Sequence, residues 1–233
     1  MRIVVVGGAS GIGLACVELL AKRGADVVVA SRNPERARAQ VASLGEVSFV
    51  PLDALDRGAV ERFFLQLGVV DHVVVTMAGG AYIGPFTAMM DAGLVRSIDG
   101  KLRPYLNVIA AAIPALSANG SITVVTGLAA RRAAPGAASL AIVNGALESL
   151  VITLAVEIAP RRVNAVSPGT TATSAWDRIP AEARRSLFDS AAARTPLGRI
   201  AAPGDVARAV AAIIDADFVT GAVLPVDGGA HVV

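Results

Sequence analysis

The sequence predicts an α/β protein: a doubly wound parallel sheet of seven strands with helices on both faces, in a single domain over residues 1–233. Three observations predict it. The chain opens on an apolar run, Ile3 to Val6, that breaks into glycines at Gly7, Gly8, Gly11 and Gly13 and continues into an amphipathic segment, Leu14 to Lys22, which reads as strand, tight turn and helix. Short apolar runs then alternate with helical segments along the rest of the chain. One of these runs, Val69 to Thr76, carries consecutive valines, as in a parallel strand covered on both faces.

The elements follow in order. Val27 to Ala30 is strand two, ending in Ser31-Arg32-Asn33, and Pro34 starts a helix rich in arginine and alanine. Val47 to Leu52 is strand three, closing on Asp53, with a helix from Gly58 to Leu67 behind it. Strand four ends in Met77-Ala78-Gly79-Gly80, small residues that suit a backbone passing close to a ligand. A helical stretch from Asp91 to Leu116 contains Pro104 and Pro114, so its first part is expected to be separate or kinked. Asn119-Gly120 leads to strand five, Ser121 to Thr126, and Pro135-Gly136 opens an apolar helix that runs to Ala159. Strand six, Arg162 to Ser167, is stopped by Pro168-Gly169. The polar, alanine-rich stretch 170–199 has no clear strand and is expected to be a lid or substrate loop. A helix from Pro203 to Asp215 and a last strand, Val223 to Val226, complete the chain before Asp227-Gly228-Gly229.

A hydrophobic content of 54% against 17% charged residues is enough for a large core and argues against disorder. The formal charge of +2 includes no basic block, so composition does not point to nucleic acid. Cys16 is the only cysteine, which rules out an internal disulfide framework and a Cys/His metal spacing; no metal is expected, and a reducing compartment fits. The chain enters strand one without a secretory leader pattern, and a cytoplasmic location is expected. The tract from Leu140 to Pro160 raises the question of a membrane span, but Asn144, Glu148 and Glu157 interrupt it and it reads as a buried helix, so no membrane partner is expected.

The glycine turn carries the first chemical signal. Gly7 lets the chain turn off the strand, Gly11 removes the side chain that would keep a pyrophosphate from the backbone, and Gly13 allows close packing of helix on sheet. Ser10, Gly11, Ile12 and Gly13 then present the unpaired N–H groups of a helix N-terminus to the phosphates. At the end of strand two, where a dinucleotide fold reads the adenosine ribose, an acid would bind the 2′-hydroxyl of NAD; here stand Ser31, Arg32 and Asn33, and the arginine favours NADP(H) over NAD(H).

With these residues on view, the chain resembles the short-chain dehydrogenases/reductases, a Rossmann-type family, over essentially its whole length. Gly7-x3-Gly11-x-Gly13 has that family's glycine spacing, with Val6 where a threonine is usual. Asp53, followed by Ala54, sits where the family contacts adenine. Ala78-Gly79, followed by Gly80, matches the end of its Asn-Asn-Ala-Gly motif, with Thr76-Met77 in place of the asparagines. Arg162 to Gly169 is close to its sixth strand, Pro168, Gly169, Thr171 and Thr173 match its nicotinamide-side contacts, and Thr220-Gly221 and Asp227-Gly228-Gly229 complete its C-terminal pattern.

The resemblance implies catalysis by a serine after strand five and by a tyrosine and a lysine four residues apart on the next helix. Those positions fall on Gly127, Leu140 and Asn144. A leucine cannot move a proton, so that mechanism cannot operate as written. The nearest hydroxyls are Thr126 and Ser139, and Asn144 remains in place to contact the cofactor. A fourth family position, an asparagine, falls on Lys101 when Pro114 sets the register, or on Asp99 by an ungapped count. In a chain with 19 arginines and two lysines, Lys22 and Lys101, the latter reads either as a residue of an exposed helix face or as the displaced cation of the cleft. Tyr82 and Arg131-Arg132 read as pocket residues or as packing and solvated loop, respectively, and neither His72 nor His231 is well placed as a base.

Two functions follow as expectations. One is an atypical oxidoreductase that binds NADP(H) and transfers hydride to or from a small carbonyl, imine or enone with a non-standard proton relay, in which Lys101, Ser139 and Thr126 are the catalytic candidates. The other is an NADP(H)-binding protein without redox turnover, a sensor or partner subunit. The resemblance also implies a homodimer or homotetramer, formed through the apolar helix 136–159 and the long helix before it.

Overall fold

The computed structural model describes residues 1–41, 43–77 and 80–233. Its centre is a set of valine-rich strands whose alternate side chains point to opposite faces. β1 (Arg2–Val6), β2 (Asp26–Ser31), β3 (Val47–Pro51), β4 (Val70–Val75), β5 (Leu116–Val125), β6 (Arg162–Pro168) and β7 (Val223–Val226) form one parallel sheet in the order β3-β2-β1-β4-β5-β6-β7. The order reverses between β1 and β4, and a crevice opens there at the carboxyl ends of the strands.

Both faces are covered. Val4, Val6, Val73, Val75, Ile122 and Val124 pack under α3 (Arg57–Leu67), α6 (Arg103–Ala112) and α7 (Ala138–Glu157). Ile3, Val5, Val27, Val29 and Val74 pack under α1 (Gly11–Lys22) and α9 (Pro203–Asp215), where the thiol of Cys16 is fully enclosed. α7 is long and apolar enough to cross a membrane by length and composition. Its Val143, Leu147, Val151 and Leu154 are nevertheless buried within the protein.

Three elements depart from the sequence reading. The long helix begins at Phe86, not Asp91: α4 (Phe86–Ala88), a π turn (Met89–Gly93), α5 (Leu94–Ser97), a second π turn (Ile98–Leu102) and α6 follow without a break. Pro104 sits in the first turn of α6, directly after the second π turn, where a missing N–H costs little. β5 begins five residues early, with Leu116 paired to Val70 and Ser121 to His72, so that residues 117–120 bulge from the ladder. The expected loop 170–199 contains a 3-10 turn (Ser174–Arg178) and α8 (Ala181–Ala193). No residue of α8 is buried, so alanine's helix propensity forms it without an apolar stripe to announce it.

Candidate functional site

At the β1–α1 turn the glycines are there for space. A Cβ on Gly13 would stand 2.3 Å from the Gly7 carbonyl oxygen, and Gly7 and Gly11 have φ of +86° and +54°. Ser10 caps α1 without a side-chain hydrogen bond, and the first turn has no acidic residue. Its hydroxyl and the first N–H groups are therefore left for an anion.

These residues form one end of a cavity of about 680 Å³ over the carboxyl ends of the strands. Of the predicted cofactor residues, Gly7, Ser10, Gly11, Ile12, Ser31, Arg32, Asn33, Asp53, Ala54, Gly80 and Thr173 line it. Gly13, Pro168, Gly169, Thr171 and Asn144 are not in this lining: Gly13 packs on Gly7, Gly169 follows the end of β6 at Pro168 and lies against Asp227, and the Thr171 hydroxyl donates to the Gly169 carbonyl at 3.0 Å. Ala78 and Gly79 lie outside the described residues.

A dinucleotide fits this lining. The buried Ser31 Oγ, at the end of β2, has no partner among the described residues, and beside it Arg32 and Arg36 also line the cavity. A hydroxyl and two guanidinium groups are donors suited to a phosphate on the ribose. Asn144 is 3% exposed, and its Oδ1 is likewise unpartnered. Arg36 escaped the sequence reading, although it lies four residues beyond Arg32, in the first turn of α2 (Glu35–Val41).

Below the cavity is a buried polar cluster. Lys101 Nζ donates to the Thr126 carbonyl at 2.8 Å and lies 5.5 Å from the centre of the Tyr105 ring. Burial lowers its pKa to about 8, with Glu148 opposing the shift. The Thr126 hydroxyl donates to Glu148 Oε1 at 3.0 Å, and Arg131 Nε donates to Glu148 Oε2 at 3.0 Å. Next in the chain is Gly127, where an added Cβ would meet Asn144 Nδ2 at 3.1 Å. The Tyr105 hydroxyl is shared between the carbonyls of Val125 and Met77 at 2.9 and 3.1 Å, and burial pushes its pKa far up, so it is a strut and not an acid.

Lys101 and Thr126 are thus brought together, and Ser139 is not with them. Its hydroxyl donates to the Tyr82 carbonyl, and Gly84 N–H donates to the Gly136 carbonyl at 3.0 Å, which holds loop 80–85 on the start of α7. The Tyr82 ring packs between Gly84 and Gly93. His72 bonds Ser121 Oγ at 2.8 Å low in the sheet, and His231 pairs with Asp227 at 2.8 Å near the C-terminus. The Glu148 link was missed because the sequence shows Glu148 only as an interruption of an apolar tract; its position one helical turn beyond Asn144 was the available signal.

The chain is similar to known reductases and dehydrogenases over nearly its whole length. A family described as enoyl-(acyl carrier protein) reductase matches residues 7–231. The 3-oxoacyl-[acyl-carrier-protein] reductase FabG of Thermotoga maritima is 30% identical over 240 residues, covering 97% of this chain and 96% of its own. The short-chain dehydrogenase/reductase ucsE of an Acremonium species is 32% identical over 250 residues, covering 97% and 94%. A crystal structure of a small-chain dehydrogenase in complex with NADPH superposes with a TM-score of 0.88 at 30% identity, covering 100% of this chain and 99% of the other.

Proposed function

Because the chain belongs to the short-chain dehydrogenase/reductase family, we propose that it is an atypical member that binds NADP(H) and transfers hydride to or from a small organic substrate without the family's serine, tyrosine and lysine. The lining of the cavity supports this most: a glycine-turn helix N-terminus at one place, and Ser31, Arg32 and Arg36 at another. Ser31, Arg32 and Arg36 would hold the 2′-phosphate, the start of α1 would hold the pyrophosphate, and the Asn144 carboxamide, whose Oδ1 has no partner among the described residues, would serve a ribose hydroxyl where the family has its lysine. The NADPH bound by the 30% identical small-chain dehydrogenase favours the same cofactor. NADPH supplies the hydride when bound.

At the position of the family's acid stands Leu140, which offers no proton. The substrate class that fits is one needing little protonation as it accepts hydride, an activated double bond or an iminium, ahead of a plain ketone. The Lys101 ammonium, fixed on the Thr126 carbonyl, contributes positive charge from behind the site. The second reading, a cofactor-binding protein without turnover, draws support from the same hydrogen bonds: Lys101 and Ser139 are both committed to backbone carbonyls. We also propose a homo-oligomer formed through α7 and the helix before it, whose outer faces leave Val95, Ile142, Ile152 and Val156 exposed.

The deciding experiment is titration with NADPH, NADP, NADH and NAD, read by nicotinamide fluorescence and melting temperature, followed by a screen of enones, imines and ketones. Micromolar NADPH binding with much weaker NADH binding is expected, and binding of none of the four removes both readings. Turnover that is lost in Lys101→Ala with NADPH affinity kept favours the oxidoreductase. Binding without turnover on the whole panel favours the second reading.

A further inference from the structure

Lys101 is buried, and among the described residues its ammonium has one hydrogen-bond partner, the neutral Thr126 carbonyl, with the face of the Tyr105 ring 5.5 Å away; neither is a full match for a charge removed from water. A carboxylate that acts on this charge, Glu148, is held on the same threonine. Glu148 is 8% exposed, and its two oxygens are taken by the Thr126 hydroxyl and by Arg131, whose side chain is 36% exposed in the turn after β5. Thr126 is thus gripped twice, by a cation at its carbonyl and by an anion at its hydroxyl. The next residue is Gly127, whose backbone lies against Asn144.

We propose that Glu148 is the positioning residue of the site: its carboxylate keeps the Lys101 ammonium charged and seated on Thr126, and Arg131 moderates that carboxylate from the surface. The assignment rests on the reading of Lys101 as the cation of the site. A buried ammonium and carboxylate held on one threonine are screened less by water than a surface pair would be. The direction of the Lys101 shift agrees, with burial lowering its pKa and Glu148 raising it. On the same continuous helix, Tyr105 presents a ring and a neutral hydroxyl, while Asp99 and Arg103 pair with each other at 2.7 Å in an exposed position.

The two acidic and basic neighbours of this line predict opposite signs. Glu148→Gln removes the negative charge and keeps the side chain's size, so Lys101 should release its proton at lower pH. Arg131→Ala unmasks the carboxylate, so Lys101 should hold its proton to higher pH. A loss of packing alone would move Lys101 towards the ordinary lysine value in both variants, upward each time.

The chain has two lysines, which makes the test direct. Protein labelled with 15N at the lysine side chains gives two titrating signals, and Lys22, exposed on α1, is the internal reference. The expected result is a drop of at least one pH unit in the Lys101 midpoint in Glu148→Gln, a rise in Arg131→Ala, and an unmoved Lys22. An unchanged midpoint in Glu148→Gln, or shifts of the same sign in both variants, overturns the proposal. Arg131 lies in a surface turn, so its variant keeps the test available if Glu148→Gln does not fold, and a midpoint unmoved there overturns the proposal equally. The readout needs neither cofactor nor turnover, so its result is separate from that of the NADPH titration.

Discussion

Tyr105 and Lys101, neighbours on one helix, illustrate how burial acts on opposite charges: it holds the phenol neutral and weakens the ammonium's grip on its proton. The consequence for stability has a definite sign. Below pH 8 both folded and unfolded chains carry the Lys101 proton, and the native state bears the cost of a buried ammonium. Between about 8 and 10.5 the unfolded chain keeps a proton that the folded chain gives up, so stability rises with pH. Over that window Lys101 should contribute up to ~3 kcal/mol, and Lys101→Met should flatten the dependence, measured as urea midpoints at pH 7 and 9.5. Activity that needs the ammonium should fall over the same window, opposite to stability. Lys101 was legible because lysine is rare in an arginine-rich chain, whereas its burial on Thr126 was not, since nothing in sequence separates a charged residue on an outer helix face from one turned inward. The Ser31 hydroxyl was legible as a strand-end residue, but its lack of a partner among the described residues emerges only when the strands are assembled.

The elements read best were those with signals at both ends. α9 was bounded correctly by Pro203 and Asp215, and the structure shows the groups that hold it. Asp205 accepts from the Ala202 N–H at 2.8 Å and from Arg199 and Arg208, while at the other end Arg162 donates to the carbonyls of Ile213 and Ile214. Arg199 and the Ala202 N–H hold the Asp205 carboxyl at about 2, below its usual value. Its contribution is therefore complete above pH 4 and is lost as pH falls through about 2. Asp205→Ala should cost ~1 kcal/mol and lower the melting temperature by about 2–4 °C at pH 7, with the difference from the unaltered protein closing in acid. By contrast, the start of the long helix and its π turns left no pattern, because a five-residue hydrogen-bond step changes backbone spacing without requiring particular side chains. α8 was missed for the converse reason: it forms without an apolar face to bury.

For the molecule as a whole, the doubly wound architecture was legible because both faces of the sheet demand continuous apolar strands, and the crevice position follows from strand order. The outer face of α7 leaves apolar side chains uncovered, with Ile152 59% and Val156 81% exposed. Substituting both by glutamate should leave NADPH affinity in place while halving or quartering the sedimenting mass in analytical ultracentrifugation. An unaltered protein that sediments as a monomer removes the proposed assembly. The lone thiol beneath α1 gives the chain one more property. Cys16 is sealed in the core, and burial raises its pKa to about 12, so the folded protein has no thiolate to offer an alkylating reagent. Modification must wait until α1 lifts from the sheet, so each molecule carries a single built-in clock whose rate counts the openings of its nucleotide-side layer.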